Sequence, residues 1–290
     1  MPPADPTAVT PDLLKEWRLP EPDEDGGKHE RGTVLVLGGA SSTPGAVLLA
    51  GLAALRVGAG RLQVATVEAT AIALGVALPE AQVVGLPAAD DGSVSPACAD
   101  EVVELAEKAD ALVIGPGLLG KDDARALLEG VLPRLSDTAV VIDAVALTVL
   151  AARPGLLDGL DAGVVLTPNA GETAALLESD PSTDLDAACR IAERYGAVVA
   201  LHGGTATPDG RAWTDEAGNA GLGTSGSGDA MAGAIGGLLA RGADPAQAAV
   251  WGQHLHAAAG DRLASRDGGI GFLARELLDE IPRVLGTLKP

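Results

Sequence analysis

The strongest constraint on the fold is a repeated unit, a short and continuous apolar run that stops at glycine or a polar residue and gives way to a helical pattern. Thr33 to Leu37 runs into Gly38-Gly39, and Asp110 to Ile114 into Gly115-Pro116-Gly117. Ala139 to Ile142 runs into Asp143, Val164 to Leu166 into Thr167-Pro168-Asn169, and Val198 to Leu201 into His202-Gly203-Gly204. Arg61 to Thr66 and Ala81 to Leu86 are further strand candidates, and Trp213 falls on a short strand after the turn at Pro208-Asp209-Gly210. Unbroken apolarity marks strands buried on both faces. Helical patterns cover residues 45–58, 96–108, 121–134, 171–178 and 184–195, and two or three more helices end the chain. This alternation predicts an α/β fold, a mostly parallel central sheet with helices on both faces. In such sheets ligands bind beyond the carboxyl ends of the strands. The glycine and polar strand ends are therefore expected together on one edge.

A second feature supplies chemistry for that edge. Residues 217–242 read AGNAGLGTSGSGDAMAGAIGGLLARG, with Gly218, Gly221, Gly223, Gly226 and Gly228 ahead of Asp229. Glycines leave no Cβ between the backbone and a neighbour, so such a loop can press its N–H groups against a ligand. The small and aliphatic run after it predicts a helix beginning near Asp229. A helix start offers unpaired N–H groups and partial positive charge, which suits an anion such as phosphate. A carboxylate placed there can act as a base beside it. The plainer reading is a helix capped by Asp229.

Composition narrows the partners. Forty acidic against twenty basic residues give a formal charge of −20, which argues against a nucleic-acid backbone or an anionic membrane as partner. Aromatic residues are 2% of the chain, too few for base-stacking platforms. The core must then come from Val, Leu, Ile and Ala. Two cysteines, Cys98 and Cys189, are too few for a disulfide framework or a zinc site and suit a reducing cytosol. The first thirty residues show no apolar signal-peptide core, and no run reaches membrane-spanning length, so a cytoplasmic location is expected. Residues 1–9 are expected to be loose. No linker or internal repeat divides the chain. We expect an N-terminal extension over 1–27 and a single α/β domain over 28–290.

The ordered strand-end motifs resemble the ribokinase-like superfamily and, within it, the ADP-dependent NAD(P)H-hydrate dehydratases. The resemblance runs from about Pro11 to about Leu263. It rests on KHERG at 28–32, GGA and PGAVLLAGLAALRVGAG within 38–60, LPE at 78–80, IGPGLLG at 114–120 and IDAVAL at 142–147. It continues through LTPNAGE at 166–172, GNAGLGTSGSGDAMAG at 218–233 and LHAAAGD at 255–261. The resemblance implies repair of hydrated NADH or NADPH. A ring hydroxyl attacks the terminal phosphate of ADP, and the phosphorylated ring then loses phosphate. It implies Asp229 as the base, with the N–H groups of Gly226, Ser227 and Gly228 around the transferring phosphoryl group. It further implies Ala46, Gly117 and Asn169, with Asp229, as lining for the hydrate. His202, Gly203, Gly204, Thr205, Ala206 and Asn219 fall at the nucleotide, and Asn169 with Glu172 spells an N-x-x-E that organises Mg²⁺ through water. For Glu172 the plainer reading is a solvated acid at a helix start. The family's usual homo-oligomer is a tetramer, with the alanine-rich early helix as one candidate interface.

Two positions depart from the family pattern. His202 stands where lysine is usual, which predicts weaker or pH-dependent nucleotide binding; the alternative is a histidine that simply hydrogen-bonds its loop. Val145 stands where a second aspartate follows Asp143. His254 and His256, two apart on a helical pattern, face different sides and are no metal pair. His256 is expected to bond a neighbouring loop, and Trp251 and Leu255 to lie in the core. Two competing functions remain open from sequence: an ATP-dependent kinase acting on a vitamin-precursor alcohol, and a nucleotide-binding protein without turnover.

Overall fold

The computed structural model describes residues 5–21, 27–160 and 163–289. From the N-terminus the chain forms β1 (Thr7–Ala8), α1 (Pro11–Glu16), β2 (Thr33–Leu37), α2 (Pro44–Arg56), β3 (Arg61–Val67), α3 (Glu68–Ala77) and β4 (Ala81–Leu86). Next come α4 (Ala99–Ala106), β5 (Ala111–Ile114), α5 (Lys121–Val131), β6 (Ala139–Ile142), α6 (Val145–Ala152), β7 (Val164–Leu166), α7 (Ala170–Leu177) and α8 (Leu185–Tyr195). The C-terminal part holds β8 (Val198–Leu201), β9 (Gly204–Ala206), β10 (Ala212–Thr214), α9 (Ser227–Ala240), α10 (Pro245–Asp267) and α11 (Ala274–Leu288).

The ten strands form one sheet in the order β1-β10-β9-β8-β7-β6-β5-β2-β3-β4. Every pairing from β8 across to β4 is parallel, while β9 and β10 run antiparallel to their predecessors. Alternate residues of the buried strands feed two separate cores, because successive side chains of a strand point to opposite faces. Val34, Val36, Val113 and Val141 pack under α2, α9, α10 and α11. Leu35, Leu37, Leu112, Ile114 and Ile142 pack under α4 to α8. The expected helix-covered, mostly parallel sheet is present.

The strand order locates the crevice. The chain moves outward from β2 through β3 to β4, then returns to lay β5 against the other side of β2. Ligand sites in open α/β sheets form where the order reverses in this way. The loops after these two strands meet there. The Gly39 N–H donates to the Pro116 carbonyl (2.8 Å), and a Cβ on Gly38 would sit 2.1 Å from that same oxygen.

Small residues set the spacing of the helices over the crevice. A Cβ on Gly233 of α9 would fall 2.0 Å from the Ala50 carbonyl of α2, and one on Gly237 2.6 Å from that of Ala54. On the sheet side of α9, a Cβ on Gly236 would fall 2.2 Å from Val113 Cγ2. With glycine at these positions α9 lies backbone to backbone on α2 and drops onto β5.

Several expectations need correction. Residues 1–4 lie outside the described residues, but residues 5–9 are not loose. Thr7 and Ala8 pair in parallel with Trp213 and Thr214. Trp17 stacks on Trp213 with centroids 5.5 Å apart, and its carbonyl accepts from Trp251 Nε1 (2.9 Å). One of the chain's three tryptophans thus ties the N-terminal segment to the other two. The helices α3 and α6 and the strand β9 were not anticipated. Val145–Ala152 is apolar on all sides, so it carries no helical periodicity to read. Helix α9 begins at Ser227, two residues ahead of Asp229 and so near the expected start. Gly226, with φ +86°, is its N-cap, and Asp229 is the third residue of the first turn.

Candidate active site

Three strand ends and two helix starts converge on the crevice. Helix α2 begins there at Pro44. Thr43 donates its hydroxyl to the Gly117 carbonyl (2.7 Å) and so joins the start of α2 to the loop after β5. Ala46 and Gly117 abut. A Cβ on Gly117, which has φ +68°, would lie 2.8 Å from Ala46 Cβ and from the Thr43 carbonyl. One turn further along α2, Leu49 Cδ1 would be 2.4 Å from a Cβ on Gly226. Ala46, Gly117, Gly226 and Asp229 therefore surround the first turns of two neighbouring helices.

Asp229 has no hydrogen-bond or ion-pair partner among the described residues. Burial and the nearby Asp143 carboxylate push its pKa up from 3.8 to about 7. A carboxylate half-protonated near neutral pH and free of partners is fitted to take a proton from a bound hydroxyl. Its neighbours have settled roles. The Ser227 N–H donates to the Thr224 carbonyl (3.2 Å), and the Ser227 hydroxyl pairs with His256 Nε2 (2.8 Å). The Ser227 N–H is thus bonded to protein, unlike the cradle role expected of it. The N–H groups of Gly228 and Asp229 have no partner within the helix by position. Gly228 is exposed, with nothing within 4 Å of a Cβ built on it.

Asp143 follows β6 and is buried. Its Oδ1 accepts the Thr167 hydroxyl (2.8 Å), yet burial outweighs that bond and raises its pKa to about 6. Ala144, next to it, has φ +53° and precedes α6 at Val145. Asn169 caps α7, its Oδ1 accepting from the Glu172 N–H (3.0 Å) while Glu172 Oε2 accepts from the Asn169 N–H (2.8 Å). This reciprocal capping box is the structural role of the N-x-x-E spacing. It does not fully account for Glu172, which is half-buried and held at a pKa of about 7 by burial and the Asp143 charge. The Asp143 charge thus raises both Glu172 and Asp229, and burial disfavours the anion at all three.

The predicted nucleotide residues divide into two groups. His202 and Gly203, with φ +44° and +86°, are the two central residues of a tight hairpin turn joining β8 to β9. Positive φ at both positions is the signature of the turn that matches strand twist. Gly204, Thr205 and Ala206 are buried in β9, with the side chains of Thr205 and Ala206 closed to a ligand. The turn is held by residues that sequence reading passed over. The Gln253 amide of α10, oriented with its oxygen toward the turn, accepts from the N–H groups of Gly203 and Gly204 and donates to Thr205 Oγ1 (3.1 Å). The Asp215 N–H donates to the Gly203 carbonyl (2.6 Å), and Asp215 Oδ2 pairs with His254 Nδ1 (2.8 Å). His202 itself makes no hydrogen bond among the described residues and is exposed. Nothing therefore favours the loop-bonding reading of His202. Asn219 is used at both ends: Oδ1 accepts from the Gly221 N–H (2.9 Å) and Nδ2 donates to Asp261 (2.9 Å).

His256 bonds the glycine loop as expected, and Trp251 and Leu255 are core. His256 is buried, and desolvation lowers its pKa to about 4. It is a neutral ring at physiological pH, and through Ser227 it fixes the first turn of α9.

Comparison with known proteins follows this geometry. Residues 34–283 match the family described as NAD(P)H-hydrate dehydratase. The chain belongs to this family. It is 43% identical to an ADP-dependent (S)-NAD(P)H-hydrate dehydratase of Xanthomonas campestris, over 97% of this chain and 96% of that one. It is 37% identical to a bifunctional NAD(P)H-hydrate repair enzyme of Moorella thermoacetica, over 96% of this chain but 54% of that one, so it spans about half of the bifunctional relative. A solved structure of the Bacillus subtilis ADP/ATP-dependent NAD(P)H-hydrate dehydratase, co-crystallized with ATP/Mg²⁺, superposes with a TM-score of 0.86 at 31% identity. It covers 99% of this chain and 100% of that one. The fold is the ribokinase-like one expected from the strand-end motifs. Among the described residues no helix is long and apolar enough to cross a membrane.

Proposed function

We propose that this chain is an ADP-dependent (S)-NAD(P)H-hydrate dehydratase that returns hydrated NADH or NADPH to the reduced cofactor. The observation that carries the reading is Asp229, an unpartnered carboxylate with a pKa near 7 in the first turn of α9, beside the crevice at β2 and β5. Asp229 accepts the proton of the ring hydroxyl, whose oxygen attacks the terminal phosphorus of ADP. The bond from that phosphorus to the bridging oxygen breaks, and AMP leaves. The phosphorylated ring then expels phosphate, with the ring nitrogen's lone pair supplying the electrons. Loss of a proton from the adjacent carbon restores the double bond. Hydroxide is a poor leaving group and phosphate a good one, so the transfer converts one into the other.

The N–H groups of Gly228 and Asp229, with Gly226 as the left-handed cap, face the charge that develops on the transferring group. Ala46 and Gly117 keep the crevice floor low enough for the ring of the hydrate, with Asn169 at its side. His202 and Gly203 extend from the hairpin toward the nucleotide. The backbone of 204–206 and Asn219 hold that side of the site in shape.

The residues fit Mg²⁺ in only one way. No group of three or more His, Cys, Asp or Glu among the described residues could hold a metal directly. Asp143 and Glu172, both with anions disfavoured by burial, fit an ion that keeps its water shell. Bound there, Mg²⁺ would neutralise phosphate charge. The reading includes a homo-oligomer. The small-residue face of α2 is buried against α9, whereas Ile72 and Val76 of α3 are 85% and 80% exposed beside the edge strand β4. The charge of −20 argues against nucleic acid or an anionic membrane as partner without excluding a small phosphorylated ligand, and the two cysteines suit a cytoplasmic site of action.

The test is direct. The protein is incubated with hydrated NADH and ADP, and the absorbance of reduced nicotinamide is followed while AMP and phosphate are assayed. Recovery of absorbance with one AMP per turnover is expected. Absence of recovery where the Xanthomonas relative is active refutes the assignment.

A further inference from the structure

A cavity of about 430 Å³ lies at the end of the sheet away from the crevice. Its wall includes Val57 and Gly58, just past the C-terminus of α2, and Arg241, just past the C-terminus of α9. These are the two helices whose first turns build the candidate active site. Leu14, Leu19, Leu285 and Leu288 make an apolar floor with Trp251.

Its charge is opposite to that of the molecule. The chain has twenty lysines and arginines against forty acids, yet five of those cations line this one cavity: Arg18, Arg31, Arg56, Arg241 and Lys289. Among the described residues Glu21 is the one carboxylate in the lining, and Lys289 lies 3.6 Å from it. Two of the five have structural roles. Arg241 donates to the carbonyls of Val57 (2.6 Å) and Pro20 (2.8 Å), and Arg56 pairs with Asp279 (2.6 Å). The other arginines lack such roles. The Arg31 side chain makes no ion pair or hydrogen bond among the described residues, and the Arg18 side chain has only a 3.4 Å bond to the Lys15 carbonyl. Arg241 keeps N–H donors beyond the two it uses. Burial disfavours its cation; the Glu21 carboxylate offsets part of that and the neighbouring Arg31 charge adds to it. Five cations against the one described carboxylate, gathered around a half-enclosed apolar floor, repel one another and favour a further anion.

We propose that this cavity is a second ligand site, for a small organic phosphate whose apolar body sits on the leucine and Trp251 floor while its phosphate is held by Arg31, Arg18 and Arg241. The site is independent of the dehydratase reading and of the crevice at β2 and β5. Its volume is that of a small-molecule pocket. Arginine forks match the geometry of phosphate oxygens.

Benzyl phosphate is a suitable probe, with inorganic phosphate and benzyl alcohol separating the charged and apolar contributions. The readout is the indole N–H resonance of Trp251 in ¹⁵N-labelled full-length protein, assigned with Trp251→Phe; the chain has only two other tryptophans. Saturable displacement of that resonance by benzyl phosphate is expected, with weaker effects of phosphate or benzyl alcohol alone. Arg31→Glu should weaken the probe about tenfold or more, and Arg31→Gln by less, because reversing a charge at the rim removes an attraction and adds a repulsion. Both variants should leave dehydration of the hydrate unchanged. A Trp251 resonance that stays still through the titration, or one that moves equally in wild type and Arg31→Glu, overturns the proposal.

Discussion

Replacing Asp229 by asparagine should remove activity and stabilise the fold at the same time. The carboxyl is isosteric with the amide, so packing is preserved while the proton acceptor is lost. General-base removal costs about 10²–10⁴ in rate. The stability change follows from the proton balance. A carboxyl held at about 7 in the folded protein and at 3.8 when unfolded binds its proton more tightly in the fold. Stability therefore falls as pH rises from about 4 to about 7 and stays low above that. Full conversion of that shift would give roughly 4 kcal/mol at pH 8, and the partial solvation of Asp229 reduces this to about 2 kcal/mol. Asp229→Asn recovers it, which corresponds to roughly 4 °C in Tm for a chain of this size. The assays are hydrate turnover and thermal melts at pH 5 and pH 8, with the wild-type rate rising as pH climbs toward 7. The Tm gain should appear at pH 8 and shrink at pH 5. A variant that melts lower at both pH values, or turns over at the wild-type rate, refutes the reasoning.

Three further outcomes follow from the geometry. Gly233→Ala places a methyl 2.0 Å from the Ala50 carbonyl, against ordinary contact beginning at 3.4 Å, so α2 must withdraw by roughly 1 Å. Overpacking of this kind costs about 1–3 kcal/mol, and displacement of Ala46 from Asp229 should lower kcat by about 10²-fold, read by melts and turnover. Gly117→Ala strains a residue at φ +68° and meets Ala46 and Thr43; KM for the hydrate should rise more than KM for ADP. His202→Lys puts a permanent cation at the exposed hairpin tip; calorimetry should show ADP binding about 2–5-fold tighter than to wild type at pH 8.

Much of this arrangement was legible because it rests on local chemistry. Unbroken apolar runs ending in glycine fixed the strands and the edge that carries the site. Where local pattern is silent, the reading failed. The helix over Val145–Ala152 is apolar all round, and its start depends on Ala144 holding positive φ, which no side chain announces. The hairpin at His202-Gly203 carried a faint signal, a glycine at the second turn position. Its histidine hid the turn and drew attention as a missing lysine. Gln253 and Asp215, which hold that turn, lie far from it in sequence or are bonded through the backbone. The N-terminal segment reads as polar and proline-rich, and only Trp17 hinted that it docks. Glu172 and Asp229 were readable as separate candidates, but the charge that Asp143 exerts on both requires the sheet that brings them together.

Three of the chain's glycines set the spacing of the helix pair that carries the site. Two helices can present their first turns side by side at a crevice only if their axes run close, and bulky side chains at their contact would separate those turns. Gly233 and Gly237 allow α9 to lie on the backbone of α2, and Gly236 lets it settle on β5. The same contact aligns the far ends of both helices, where Arg241 spans from the end of α9 to the Val57 carbonyl past α2. The spacing of Ala46 from Asp229 and the shape of the basic cavity are therefore set by one helix pair. Gly233→Ala should then disturb both, so that loss of turnover and weakened benzyl phosphate binding appear in the same variant, whereas Arg31→Glu affects only the second. A Gly233→Ala protein that loses turnover yet binds the probe as wild type does would show that the two ends of the pair are mechanically separate.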